Sequence, residues 1–343
     1  MTPIGYVAGL DGLRALAIVL VLLFHANAPG LPGGNIGVDL FLVLSGFLIT
    51  SLLLEEWRTC GGIELWRFYM RRAWRLMPAL LLMLLLYVVL APLFWPDYFF
   101  HLRDLLIALL YISNLAASVG TLPEKLLHTW SLGLEEQFYL LWPLALLAYL
   151  RFLRRPPLWV FLLLLYLGLY AWRVWCLHRP EIVVSLAYYR PDLHAGGLVL
   201  GAALGAWWQE RSARPVPASL GWLGWLAILV ALVAEQTEFM HLLLYIPLAE
   251  VGTTFLIMAI LSGRQAGFSD KLPVHIGRMS YGLYLFHYPI MLYMVESRQH
   301  WLVVISTGGL LAYGLALLSF HSVEAWARRC RERRWSKASV TGC

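Results

Sequence analysis

Long apolar stretches recur along the whole chain and determine its predicted architecture. Eleven can be distinguished, beginning near residues 10, 37, 76, 102, 134, 157, 193, 218, 241, 279 and 301. Runs of about 18 or more apolar residues are long enough to cross a lipid bilayer. Because lipid offers the backbone no hydrogen-bonding partner, such runs are expected to be helices. The pattern therefore predicts an all-α, polytopic transmembrane helical bundle.

Basic residues between the apolar stretches predict the orientation of the chain, because cytoplasmic loops are rich in Lys and Arg. The basic segments are 55–75, 151–155, 211–214, 264–278 and the tail 328–337. All of them are cytoplasmic if the N-terminus is cytoplasmic and residues 102–118 do not cross. We therefore expect about ten spans in the cell membrane with both termini in the cytoplasm. Residues 102–118 would be re-entrant, interfacial or packed against the bundle.

The composition agrees with one membrane domain and little else. Of the 343 residues, 60% are hydrophobic and 13% are charged, whereas soluble domains have about 45–50% apolar and about 25% charged residues. We predict a transmembrane domain at 1–328 and a basic cytoplasmic tail at 329–343. The net charge of +6 comes from loop residues, so it indicates no nucleic-acid partner. No basic residue precedes the first apolar stretch, which favours a span over a cleaved signal peptide.

Ionisable side chains within the first two stretches are candidates for chemistry, because each costs about 2.5–3.5 kcal/mol to insert. Arg14 and His25 are eleven residues apart, which places them on one helix face about 16 Å apart. Asp39 opens the second stretch at the same end as His25, where a carboxylate would fix the imidazole tautomer. The structural alternatives are that Arg14 snorkels to the interface and that His25 and Asp39 cap their helices.

Two later motifs add polar side chains on single helix faces. Arg72 and Arg75 are three residues apart at the cytoplasmic mouth of the third span, and paired guanidinium groups suit phosphate. Their alternative role is to anchor the span at the interface. Ser131, Glu135 and Tyr139 are spaced by four and line one face. An acidic first turn of a helix would also account for Glu135.

Three further candidates lie late in the chain. Arg190 and Asp192 precede the sixth span, and His287 lies within the ninth. A histidine in a membrane bundle either bonds a neighbouring helix or lines a pocket. The four cysteines are far apart and match no metal or redox spacing, so we expect no metal site.

Together and in this order, the motifs resemble those of the acyltransferase-3 family of integral membrane O-acyltransferases. The shared features are Arg14 with His25, segment 37–47, Arg72 with Arg75, segment 130–139, Arg190 with Asp192, and segment 277–289. The resemblance extends from about residue 5 to 328. It is to the stand-alone members, which carry no hydrolase-like domain after the membrane part. It implies ten spans, a catalytic His25 and an arginine pair that is important for activity.

The resemblance also implies a reaction. An acyl group, above all acetyl, would pass from cytoplasmic acyl-CoA to a hydroxyl of an extracytoplasmic or lipid-linked glycan. Acyl-CoA would be a co-substrate, and no permanently bound cofactor is expected. The remaining partners would be the glycan acceptor and membrane lipid.

The resulting hypothesis assigns a role to each candidate residue. The phosphates of acyl-CoA would be held by Arg14, Arg72 and Arg75. His25 would be the general base, oriented by Glu135 and Asp39. The acceptor or its pocket would involve Ser131, Tyr139, Arg190, Asp192 and His287.

Three alternatives remain open on the sequence. The first is a covalent acyl-enzyme on Tyr139 or Ser131, which later passes the group to the acceptor. The second is a transporter or flippase of a lipid-linked glycan, although paired broken segments in matching halves are not evident. The third is a scaffold without chemistry, which the buried charges argue against.

Overall fold

Helices form the fold throughout the part of the chain that the structure describes. The structure is a computed structural model, and it describes residues 5–121, 123–153, 155–210, 215–234 and 237–335. No strand occurs within these ranges, which confirms the predicted all-α class. Four residues of the predicted basic segments, Arg154, Arg211, Arg214 and Lys337, lie outside the described residues.

The α-helices divide into a first and a second half of the chain. The first half contains α1 (Ala8–His25), α2 (Gly37–Cys60), α3 (Leu65–Leu90), α4 (Tyr98–Leu109), α5 (Ser113–Ser118), α6 (Trp130–Ala148) and α7 (Leu158–Leu177). The second half begins with α8 (Val184–Ala187), α9 (Pro191–His194), α10 (Gly196–Glu210), α11 (Ala218–Val233), α12 (Glu238–Met240) and α13 (Ile246–Leu261). It ends with α14 (Lys271–Arg278), α15 (Ser280–Glu296), α16 (Trp301–Val303), α17 (Gly309–His321) and α18 (Val323–Trp335).

Three short π-helical segments interrupt or extend these helices. They are Tyr149–Leu153 after α6, His241–Tyr245 between α12 and α13, and Val304–Gly308 between α16 and α17. Segments of this kind occur often at functional sites. The second segment begins with His241, which is one of the residues of the candidate site.

Helices lie at all ten positions where the sequence predicts a span. They are α1, α2, α3, α6, α7, α10, α11, α13, α15 and α17. By length and composition, six continuous helical segments among the described residues suffice to cross a bilayer: Ala8–His25, Gly34–Cys60, Leu65–Leu93, Leu158–Leu177, Glu238–Leu261 and Trp301–Arg333. The chain is therefore a multi-pass membrane protein. The number of crossings and the side on which each terminus lies stay predictions.

The segment at 102–118 forms two short helices and not a span. Helix α4 has 12 residues and α5 has six. Twelve helical residues reach about 18 Å, whereas the hydrocarbon core is about 30 Å thick. Tyr111 lies between them with φ at 55°, in the left-handed region where the chain turns. Both helices are thus too short to cross, in agreement with the prediction for this segment.

Glycines let α2 and α10 approach each other closely. A Cβ atom added at Gly46 would lie 2.0 Å from the carbonyl oxygen of Leu198, and one added at Gly201 would lie 2.0 Å from that of Val43. Small residues at such contacts are typical of helix pairs in lipid, where packing drives association. Gly46 thus serves close packing, as its sequence context suggests. The contact holds α2, the helix that carries Asp39, against α10.

The C-terminal part of the chain continues as a helix past the predicted domain boundary. Helix α18 contains residue 328, and it packs against α3. Residues 336–343 of the predicted basic tail lie outside the described residues.

Candidate functional site

Two cavities lie at opposite ends of α1. The arginine cavity has a volume of about 760 Å³ and is lined by Arg14, Arg71, Arg72, Arg75, Arg278, Arg328 and Arg331, among others. The histidine cavity has a volume of about 440 Å³ and is lined by His25, His128 and His241 together with Phe24, Trp130, Tyr188, Tyr189, Tyr284 and Tyr288. The helix that carries both Arg14 and His25 therefore separates a cationic site from an imidazole-rich aromatic site.

A carboxylate holds Arg14 in the wall of the arginine cavity. One guanidinium nitrogen of Arg14 lies 2.5 Å from Asp11 Oδ1. The other carboxylate oxygen of Asp11 accepts a hydrogen bond from Tyr6 at 2.9 Å and lies 3.7 Å from Arg278 Nε. Arg14 and Arg278 thus share one counterion, which leaves net positive charge at this end of α1.

Arg72 and Arg75 share a helical face as predicted, but their environments differ. The guanidinium of Arg72 lies over the ring of Tyr139, 3.7 Å from its centroid. Its Nε is buried without a hydrogen-bond partner. The side chain of Arg75 is exposed within the cavity. Arg75 is therefore the more accessible cation of the pair, and Arg72 packs into the wall.

Glu135 lies in the arginine cavity and not beside His25. Its Oε2 accepts hydrogen bonds from Tyr139 Oη at 2.6 Å and from Ser45 Oγ at 3.0 Å. Helix α6 begins at Trp130, which lines the histidine cavity. Glu135 lies about 7 Å further along the helix axis than Trp130. Glu135 therefore does not orient His25 as predicted. It belongs instead to the hydrogen-bond network around Tyr139.

Asp39 pairs with a histidine other than the one expected. Its Oδ1 lies 2.9 Å from His194 Nε2, and both side chains have no solvent exposure. His194 Nδ1 donates to the carbonyl oxygen of Tyr188 at 2.7 Å. The first turn of α2 directs Asp39 towards α9, whereas His25 ends α1. Asp39 thus does not orient His25. Sequence reasoning missed His194, although an ionisable residue at the buried start of an apolar stretch is a usable signal.

The contacts of His25 determine its tautomer. Its Nδ1 lies 2.9 Å from the carbonyl oxygen of Val21 and 3.2 Å from His287 Nε2. Because a carbonyl oxygen only accepts, Nδ1 of His25 carries the proton. His287 Nδ1 donates to the carbonyl oxygen of Tyr284 at 2.8 Å, so its Nε2 is free to accept from His25. Nε2 of His25 is left as the basic nitrogen.

A third imidazole completes this cluster. The ring of His128 stacks on Tyr288 with centroids 4.8 Å apart, and it lies 5.6 Å from the ring of His287. His128 Nε2 donates to the carbonyl oxygen of Leu285 at 3.2 Å, and Nδ1 is buried without a partner. His128 is not among the site residues predicted from the sequence. Among the described residues, no group of three His, Cys, Asp or Glu side chains is arranged to hold a metal ion.

Comparison with known proteins identifies the family to which this chain belongs. A family model described as an acyltransferase domain, acyltransferase 3, matches residues 7–321. The chain belongs to the acyltransferase-3 family. This membership makes the protein an acyltransferase, and it decides against the transporter and scaffold alternatives.

Curated relatives of this acyltransferase are named as O-acetyltransferases. Peptidoglycan O-acetyltransferase OatA of Listeria monocytogenes is 35% identical over 353 residues, covering 94% of this chain and 56% of the relative. O-acetyltransferase OatA of Staphylococcus aureus strain NCTC 8325 is 33% identical over 314 residues, covering 84% and 51%. The putative peptidoglycan O-acetyltransferase YrhL of Bacillus subtilis is 31% identical over 367 residues, covering 97% and 56%. The chain spans about half the length of these relatives. No solved structure matches it.

Three of the five predicted pocket residues of the acyltransferase lie outside the walls of both cavities: Arg190, Asp192 and His287. Arg190 and Asp192 form an ion pair with each other at 2.7 Å, and Trp172 donates a hydrogen bond to Asp192 at 2.8 Å. Partial burial would raise the pKa of Asp192, but the hydrogen bonds from Arg190 and Trp172 hold it below its usual value. The pair directly follows Tyr188 and Tyr189 in the chain, and these two tyrosines line the histidine cavity.

The other two predicted pocket residues of the acyltransferase do line a cavity. Ser131 and Tyr139 line the arginine cavity. Ser131 Oγ lies 2.7 Å from Tyr284 Oη. His287 lines neither cavity and supports His25 from behind. The cavity residues thus provide cations at one end of α1 and a basic nitrogen at the other.

Proposed function

We propose that this acyltransferase moves an acetyl group from acetyl-CoA in the arginine cavity to a glycan hydroxyl in the histidine cavity. The observation that supports this most directly is the position of the two cavities at opposite ends of α1. Acetyl-CoA, which carries phosphates, and the glycan hydroxyl, which must lose a proton, would thereby approach the same reaction centre from different sides. Two of the relatives are named for peptidoglycan, so a cell-wall glycan is the first acceptor to test.

The donor would bind through its phosphates. Seven arginines line the arginine cavity, and guanidinium groups bind phosphate oxygens in pairs. Arg75 is the more accessible cation of its pair with Arg72, and Arg14 and Arg278 together have one carboxylate between them. An anion at this position would complete the charge balance. The basic loops predict that this cavity faces the cytoplasm, where both termini would also lie.

The acceptor would lose its proton to His25. Nε2 of His25 takes the proton of the acceptor hydroxyl, and the hydroxyl oxygen attacks the thioester carbonyl carbon. The carbon–sulfur bond then breaks, and the proton on His25 passes to the departing CoA thiolate. During the reaction His25 carries both protons, and its Nδ1–H group donates to His287 Nε2. The products are the acetyl ester and free CoA.

A covalent route remains the second candidate because of one contact. Tyr139 Oη lies 2.6 Å from Glu135 Oε2, where a carboxylate could accept the phenol proton as Tyr139 attacks the thioester. An acid quench during a single turnover, followed by mass spectrometry of the peptide with Tyr139, separates the routes. Acetyl label on that peptide supports the covalent route, and its absence during active turnover supports direct transfer.

The proposed function is tested with purified protein in proteoliposomes. Acetyl-labelled acetyl-CoA is supplied on one side and peptidoglycan fragments on the other, and the label in the glycan is measured. We expect labelled glycan from the wild type and almost none from His25→Ala. Arg298→Ala is a matched control, because this exposed basic residue lines neither cavity. Equal transfer by wild type and His25→Ala would contradict the proposed base, and no transfer by the wild type to glycan would contradict the proposed reaction.

A further inference from the structure

We propose that Val38 and Tyr284 form a partition between the two cavities and limit the size of the acyl group that passes. This inference rests on the proposed function, because it concerns the route of the donor. Within the described part of the chain, Val38 and Tyr284 are the two residues that line both the arginine cavity and the histidine cavity. A thioester that enters beside the arginines must therefore pass between these two side chains before it meets His25.

The ring of Tyr284 lies between residues of the two cavities. On the arginine side its centroid is 6.3 Å from that of Phe41, and on the histidine side it is 5.6 Å from that of His128. Tyr284 and Val38 are each 5% exposed. Little space is therefore left between the cavities, and the partition is about one side chain thick.

Two hydrogen bonds hold the partition closed. Tyr284 Oη donates to the carbonyl oxygen of His128 at 2.7 Å. Since that donation uses its only proton, Tyr284 Oη accepts from Ser131 Oγ, also at 2.7 Å. Ser131 thus acts on the ring of Tyr284. This contact gives Ser131 a role that does not require it to carry the acyl group.

A narrow apolar passage favours small acyl groups. Each added methylene must displace side chains that are already packed, and such overpacking is unfavourable. Hydrophobic pockets distinguish substrates that differ by one methylene by about 10- to 200-fold. The partition therefore makes acetyl-CoA the preferred donor over butyryl-CoA. The passage, and not the arginine cavity, would set this preference.

The test is the ratio of kcat/KM for butyryl-CoA to that for acetyl-CoA. Val38→Ala removes two methyl groups from the partition, and we expect the ratio to rise at least about tenfold. Val43→Ala is the matched control, because Val43 is a buried valine of the same helix that lines neither cavity. An unchanged ratio in Val38→Ala, with acetyl transfer retained, would overturn the proposal.

A second measurement does not depend on transfer. The double variant Val38→Ala, Tyr284→Ala would join the cavities, so proteoliposomes that contain it should lose an imposed pH gradient faster than those with wild type or Val43→Ala. If the double variant inserts and holds the gradient as well as the wild type, the partition is not where we place it. Failure of the proposed function would look different, because the wild type itself would then transfer no acetyl group to glycan while the leak still reported on the partition.

Discussion

Replacement of His287 tests how the general base is held in position. In His287→Ala, Nδ1–H of His25 loses the acceptor at 3.2 Å and keeps only the carbonyl oxygen of Val21 at 2.9 Å. A hydrogen bond to a charged group contributes about 1.5–3 kcal/mol, and about 1.4 kcal/mol corresponds to tenfold in rate. If the bond acts fully on the protonated His25, kcat falls by about 10- to 150-fold. His25→Ala removes the base itself and should cost about 10²–10⁴-fold.

Glutamine separates the two roles. At position 287 the amide oxygen can accept from His25, so His287→Gln should recover part of the lost kcat. At position 25 an amide cannot take up a proton, so His25→Gln should stay inactive. Steady-state kinetics with acetyl-CoA measures both, and the KM for acetyl-CoA should not change because the arginine cavity is untouched.

The result that would refute this reasoning is specific. If well-folded His287→Ala keeps kcat within about twofold of wild type, the contact with His25 does not help the base. The thermal midpoint in detergent checks folding, since His287 is fully buried. From sequence alone, a histidine that only bonds a neighbouring helix predicts a loss of about 0.6 kcal/mol in stability with most activity kept. The contact between His287 and His25 is the reason to expect the larger loss of kcat instead.

Three further predictions concern orientation, donor binding and packing. A reporter fused at Pro156 should be cytoplasmic, and a periplasmic signal there would contradict the ten-span orientation. Arg75→Ala should raise the KM for acetyl-CoA with kcat nearly unchanged. Arg72→Ala should also lower the thermal midpoint, because the packing of Arg72 on Tyr139 is lost. Equal thermal midpoints in the two variants would contradict this difference. Gly46→Ala should destabilise the protein by about 1–3 kcal/mol through overpacking. Gly168→Ala is the control, because its added Cβ meets nothing within 4 Å. The free energy of unfolding of both variants is measured in detergent.

Much of the architecture could be predicted from sequence because apolar length is a direct requirement of the bilayer. The helix positions followed from it, whereas the prediction that 102–118 does not cross came from the basic residues of the loops. Helical periodicity also placed Arg14 and His25 at opposite ends of one helix. The shared face of Arg72 and Arg75 came from the same rule. These are properties of single helices, and they do not depend on how the helices pack.

The partners of the site residues could not be predicted, because they depend on the rotation of each helix in the bundle. Asp39 begins α2 shortly after His25 ends α1, yet Asp39 bonds His194, 155 residues further along the chain. Glu135 was assigned to the wrong cavity because the sequence does not show at which residue α6 begins. His128 was passed over for a similar reason, since only the fold brings it within 5.6 Å of His287.

The helix α1 explains why the two halves of the reaction can be kept apart and still meet. A helix of 18 residues is stiff, so it holds the arginine end and the imidazole end at a fixed distance. The flexible part of the system is then the donor, whose long arm reaches from one cavity towards the other. Water that entered at both ends would hydrolyse the thioester, and the partition at Val38 and Tyr284 keeps the cavities separate when no donor is bound. The same side chains would thus protect the thioester and select the acyl group. This is why replacing Val38 should change the acyl preference, and why replacing Val38 together with Tyr284 should also increase the leak of an imposed pH gradient.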